Sequence, residues 1–97
     1  MANGAAIRVC EEEEHGRGWR FRVEASADGL DAEFHVTLSW ADYDHWSRGA
    51  ASPARVVEEL VRFMLEREAL DATQQDFDAA RLRRRFDEVD ETIRARL

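Results

Sequence analysis

Two runs of strict alternation, residues 19–26 and 32–40, joined across an Asp-Gly pair, leave this chain few folds to choose from. Trp19, Phe21, Val23 and Ala25 alternate with Arg20, Arg22, Glu24 and Ser26. Ala32, Phe34, Val36, Leu38 and Trp40 then alternate with Glu33, His35, Thr37 and Ser39. A period of two places each apolar set on one face of a strand. Asp28-Gly29 between them is a strong type I′ hairpin signal, because that turn needs positive φ at both central residues. The turn sets the register, with Val23 opposite Phe34, Phe21 opposite Val36 and Trp19 opposite Leu38. A slip of one residue would turn an apolar set to water.

Upstream, Ile7 and Val9 alternate with Arg8 and Cys10 before the run Glu11 to Glu14. This predicts a strand over 6–13 whose acidic end discourages edge-to-edge pairing. His15-Gly-Arg-Gly18 reads as a turn, and a five-residue loop over 14–18 would pair Val9 with Val23 on the inner face. Arg8 would then meet Glu24, and Glu12 would meet Arg20, on the outer face. The outer face would carry the row Cys10, Arg22, His35.

Downstream, the spacing becomes helical. Ser52 suits an N-cap and Pro53 the first helical position, which predicts a helix over 53–69. Val56, Val57, Leu60, Val61, Phe63, Met64 and Leu65 cover more than half of its circumference, so a sheet on one side cannot bury it alone. Asp78 fits a second N-cap, with Phe77 and Leu82 spaced as a hydrophobic staple. Ala79, Leu82, Phe86, Val89, Ile93 and Leu97 make one apolar seam. This predicts a helix over 78–96, open to interruption at Asp87-Glu-Val-Asp90. The seam resembles a coiled-coil stripe, which would lie on the first helix or meet its copy in a homodimer.

The expectation is therefore an α+β fold: a three-stranded antiparallel β-meander with two C-terminal helices packed on one face, in the order β-β-β-α-α. Residues 1–97 read as a single domain, with 1–5 a flexible tail, 6–40 the meander and 41–52 a loop. Ninety-seven residues with 44% apolar and 36% charged composition suit a packed core, not disorder. Cys10 is the single cysteine, so neither a disulfide framework nor a cysteine zinc site is expected, and a reducing compartment fits. The opening residues hold no signal-like apolar run and no segment is long enough to span a bilayer, which predicts a cytoplasmic protein with no membrane contact. All 14 basic residues are Arg, which GC-rich codon usage explains, as in many bacterial genomes. A net charge of −7 weighs against nucleic-acid binding, because phosphate neutralisation needs a basic excess.

The densest chemistry lies in Trp40-Ala-Asp-Tyr-Asp-His-Trp-Ser-Arg-Gly49, which offers Asp42, Tyr43, Asp44, His45, Trp46 and Arg48 for ligand or partner binding. Asp42, Asp44 and His45 are metal-capable in type but lack the glycine of an EF-hand loop or a pair of histidines at helical spacing, so no metal and no cofactor is expected. Trp40, Tyr43 and Trp46 could form an aromatic platform, although a plug between sheet and helix is the plainer reading. Secondary candidates are Arg22 and His35, where an intervening arginine separates Cys10 from the imidazole, and Arg83 and Arg84 within Arg81-Leu-Arg-Arg-Arg85. Asp87 and Glu88 would compensate Arg83 and Arg84 at i,i+4 on a continuous helix. No phosphate loop or nucleophile elbow is present. The expected function is a non-enzymatic interaction or regulatory module with a protein partner or a second copy of itself. Two alternatives stand beside it: a metal-dependent enzyme or ligand-binding protein built on Trp40 to Gly49, and contact with nucleic acid or an acidic partner through Arg81 to Arg85.

Overall fold

The computed structural model describes residues 6–27, 29–67, 69–70 and 75–97. Strands β1 (Ala6–His15), β2 (Gly18–Ala27) and β3 (Leu30–Ser39) form the antiparallel meander. Helices α1 (Trp40–Ser47) and α2 (Pro53–Glu66) then cross back, and β4 (Asp76–Asp78) joins the far side of β3 in parallel. Helices α3 (Ala80–Arg85) and α4 (Val89–Arg96) complete the described chain. The α+β class and the antiparallel meander agree with the sequence. The described residues correct the expected β-β-β-α-α order by adding a fourth strand and by holding four helices instead of two.

The β2–β3 register is the one the Asp-Gly turn demands: Val23 faces Phe34, Phe21 faces Val36 and Trp19 faces Leu38. Phe21, Val23, Phe34, Val36 and Leu38 are buried. Gly29 has φ +86°, as a type I′ position requires. The other turn residue, Asp28, and the expected tail at 1–5 lie outside the described residues.

The first hairpin starts in the expected register, with Val9 on Val23 and Arg8 on Glu24, but a bulge between Val9 and Glu11 shifts the rest by one residue. Glu13, not Glu12, faces Arg20, and Glu12 faces Phe21. The cause lies at the turn. The strands close through Gly16-Arg17 alone, with Gly16 at φ +59°, and the tight turn leaves one residue to be absorbed within the strand. The outer row is consequently Glu11, Arg22, His35, with Cys10 displaced from it.

Ser52 caps α2 by accepting from the Arg55 N–H at 3.2 Å, and Pro53 opens the helix. The helix ends at Glu66, short of residue 69, and the Ala69 N–H turns back to the Met64 carbonyl. Its wide apolar arc has the two partners it needs, with the sheet on one side and α1 and α4 on another. Glu59 is buried on the same helix and paired with Arg55, Arg62 and, at 3.9 Å, Arg96 of α4. These pairs tie the end of the chain to α2.

The predicted helix over 78–96 is two helices with a strand before them. The N-cap position is Ala79, not the expected Asp78, and no side chain caps the helix. Asp78, one residue earlier in β4, accepts from the Ala80 N–H at 3.0 Å, and Phe77 and Leu82 are both buried. Ala79, Leu82, Val89 and Ile93 are buried and Phe86 and Leu97 pack at the edge of the same core. The seam is thus satisfied within the chain. The interruption falls at Phe86, whose backbone is extended (φ −127°, ψ 116°) and whose ring meets Phe63 edge-on at 5.2 Å. No Pro or Gly breaks the helix there. Docking an aromatic ring into the core outweighs the few tenths of a kcal/mol, about 0.2–0.5, that each lost i,i+4 ion pair would supply.

Candidate functional site

The segment expected as a loop over 41–52 is largely helical. Ser39 Oγ accepts from the Asp42 N–H at 3.0 Å, and the helix stops where Arg48 takes a left-handed conformation (φ 51°) before Gly49 (φ +81°). Trp40 does not finish the inward row of β3. It opens α1 and is 50% exposed, because the helix begins before the strand reaches it.

On α1, Asp42 and Trp46 lie one turn apart and both are buried. Trp46 Nε1 donates to Asp90 Oδ1 at 2.7 Å. His45 Nε2 lies 3.0 Å from Asp90 Oδ2. Arg83 reaches Asp42 Oδ1 through Nη1 at 3.1 Å and Asp90 Oδ1 through Nε at 3.2 Å. Arg94 donates through Nε to the His45 carbonyl at 3.1 Å and places Nη2 3.2 Å from His45 Nδ1. His45 Nε2 also has Arg94 Nη2 at 2.9 Å and Arg83 Nη2 at 3.2 Å, so the imidazole stands between one carboxylate and two guanidiniums. Burial pushes the Asp90 carboxyl upward, but hydrogen bonds from His45 and Trp46 and the charge of Arg83 outweigh it and hold the group below its ordinary value. Two carboxylates and two guanidiniums balance in charge, and their arrangement fastens α1 to α3 and α4.

The remaining residues of that stretch go elsewhere. Tyr43 donates its hydroxyl to the Ala51 carbonyl at 2.5 Å and meets Trp19 edge-on at 5.3 Å. Asp44 is exposed, and Arg48 is spent as the C-cap. The structure therefore brings together Asp42, His45 and Trp46 and adds Asp90, Arg83 and Arg94. Neither Asp90 nor Arg94 was a sequence candidate. Asp90 was placed within an interruption of the seam, and nothing local links it to a helix 44 residues earlier.

On the outer sheet face, Arg22 is surrounded by acids. Its guanidinium lies 3.0 Å from Glu24, 3.4 Å from Glu33 and 3.4 Å from Glu11. The Glu24 hydrogen bond chiefly raises the Arg22 pKa against an opposing effect of burial, with the charges of Cys10, Glu11 and Glu33 assisting. His35 Nδ1 sits 3.9 Å from Asp76 Oδ1, which Arg20 also holds at 2.6 Å. Among the described residues no group of three or more His, Cys, Asp and Glu converges as a metal site.

The basic cluster departs most from its sequence reading. Because the helix breaks at Phe86, Arg83 pairs with Asp42 and Asp90 instead of Asp87. Glu88 pairs with Arg67 at 3.3 Å and leaves Arg84 without it. Among the described residues, no carboxylate forms an ion pair with Arg81, Arg84 or Arg85; Arg85 instead stacks on the Phe86 ring at 5.2 Å. These three side chains rim a cavity of about 310 Å³ whose other walls are Met64, Ala69, Phe77 and Leu82.

No protein-family model, curated protein or solved structure matches the chain. No helix among the described residues is long and apolar enough to cross a membrane.

Proposed function

We propose that this protein is a non-enzymatic interaction module that holds an acidic protein partner on the Arg81, Arg84 and Arg85 face of α3. The observation that carries this reading is the missing compensation. In a chain with seven acids in excess, three exposed arginines one turn apart form no ion pair with a carboxylate among the described residues. Guanidinium groups recognise carboxylates through paired, charge-assisted hydrogen bonds. Repulsion from the rest of the protein does not defeat a local contact, since exposed charges are screened beyond about 8 Å at physiological salt. By contrast Asp42, His45 and Trp46 already have protein partners for their polar atoms, so the reading moves from the Trp40 to Gly49 segment to α3.

The test compares two fluorescently labelled peptides, Glu-Glu-Leu-Phe-Glu-Glu and its Gln-flanked counterpart, by anisotropy across a salt series. The acidic peptide should bind, lose affinity as salt rises, and lose it again in the double variant Arg84→Glu/Arg85→Glu. Equal affinity for both peptides overturns the reading. So does tighter binding of a single-stranded oligonucleotide, which would assign the face to nucleic acid.

A further inference from the structure

We infer that the cavity beneath Arg81, Arg84 and Arg85 receives an apolar anchor side chain of that acidic partner, so that the ligand is a peptide segment with one large aliphatic or aromatic residue flanked by carboxylates. The inference rests on the acidic-partner reading and adds the apolar half of the recognition.

The geometry combines two chemistries at one opening. Positions 81, 84 and 85 share a face of α3 at spacings of three and four residues, while Leu82 between them turns inward to the cavity wall. Met64, Phe77 and Leu82 are all buried and supply apolar walls, and Ala69 adds only a methyl group to the lining. Where the wall is apolar, water finds few polar partners, so an apolar group that displaces it there gains affinity. Met64 adds an unbranched, polarisable surface that adapts to differently shaped side chains.

The volume sets the scale. At about 310 Å³ the cavity stands at the lower end, about 300 Å³, of the range for small-molecule sites. It therefore suits one bulky side chain better than a large cofactor. An anchor in a desolvated pocket with charged groups around the rim is how peptide interfaces concentrate their affinity. Arginine stems also cover apolar surface while their heads stay in water, so the rim can close over the anchor and still face the flanking carboxylates.

The test uses the full chain and adds a third peptide, Glu-Glu-Ala-Ala-Glu-Glu, to the two above. Replacing the central Leu-Phe by Ala-Ala should weaken binding by about tenfold or more. Ala69→Phe, which fills the opening, should lower the affinity for the Leu-Phe peptide to that of the Ala-Ala peptide without altering the circular dichroism spectrum. Acidic peptides that bind equally with and without Leu-Phe overturn the anchor and leave the arginine reading standing. Failure of every acidic peptide to bind overturns both. The peptide comparison uses the unaltered protein, so it decides the question even if Ala69→Phe fails to fold.

Discussion

Trp46 and Asp90, 44 residues apart in the chain, are joined by an indole N–H donated to Oδ1 across 2.7 Å. The same carboxylate meets His45 through its other oxygen and Arg83 through both, so one acid on α4 gathers α1 and α3. Its side chain is only 31% exposed. At that depth an unpaired indole N–H or guanidinium would cost more than the net worth of the hydrogen bond that satisfies it.

Asp90→Ala should accordingly lower stability by about 1–3 kcal/mol, the usual penalty for leaving a buried polar partner unmade. Asp90→Asn should cost less, since an amide oxygen can still accept from Trp46. Urea unfolding followed by tryptophan fluorescence measures both. Unchanged midpoints would show that the cluster does not hold α1 in place.

Acid should loosen the same cluster. The folded carboxyl of Asp90 titrates below its ordinary value because His45, Trp46 and Arg83 outweigh the opposing effect of burial. Asp76 shifts the same way, chiefly through its hydrogen bond with Arg20. A carboxyl lowered by folding stabilises the native state fully above its unfolded pKa of about 3.9, and that contribution is lost as pH falls through the lower folded value. Stability should therefore decline below about pH 4, and Asp90→Asn should flatten the decline in that window. Thermal melts from pH 7 to pH 2 give the slope for each protein.

Gly18 and Gly16 should resist alanine for different reasons. A Cβ at Gly18 would fall 2.1 Å from the Leu38 carbonyl oxygen, so β2 and β3 would have to part. The expected cost is about 1–3 kcal/mol, as for other overpacked sites. A Cβ at Gly16 meets nothing within 4 Å, and only its positive φ resists, at about 1–2 kcal/mol. Chemical denaturation of Gly18→Ala and Gly16→Ala checks both, and a Gly18→Ala protein of full stability would contradict the observed closeness of the strands.

The tryptophans of α1 separate inside from outside. Trp46→Ala should cost about 3–5 kcal/mol as a large core truncation, whereas Trp40→Ala at the exposed helix start should stay within about 0.5 kcal/mol. Equal losses in urea midpoint would mean that Trp40 is covered by something beyond this chain.

Part of the candidate site is legible in the sequence. Ser39-Trp-Ala-Asp42 carries the spacing of a capping box, and Arg48-Gly49 is a helix stop, so α1 was readable as a short helix. Trp40 nevertheless continues the apolar alternation of β3, so the strand pattern runs past the point at which the helix begins. The bulge at Cys10 was harder to see, because both registers of β1 offer complementary charges on the outer face. β4 has three residues, and a lone Phe77 between two acids carries too little pattern to announce a strand.

The sequence alone determined what depends on neighbours along the chain. Alternation and the Asp-Gly turn set the β2–β3 register, Ser52-Pro53 started α2, and the spacing of Ala79, Leu82, Val89 and Ile93 chose the residues that the C-terminal helices bury. Only tertiary structure decided where the polar groups go. Phe86 leaves the helix to reach Phe63, and that change of direction takes Asp87 and Glu88 away from Arg83 and Arg84. Arg83 turns inward to Asp42 and Asp90, while Arg81, Arg84 and Arg85 remain together at the mouth of the cavity. The physical reason is one of magnitude: core packing outweighs the weak i,i+4 pairs that a sequence can show, so charges pair wherever the core leaves them.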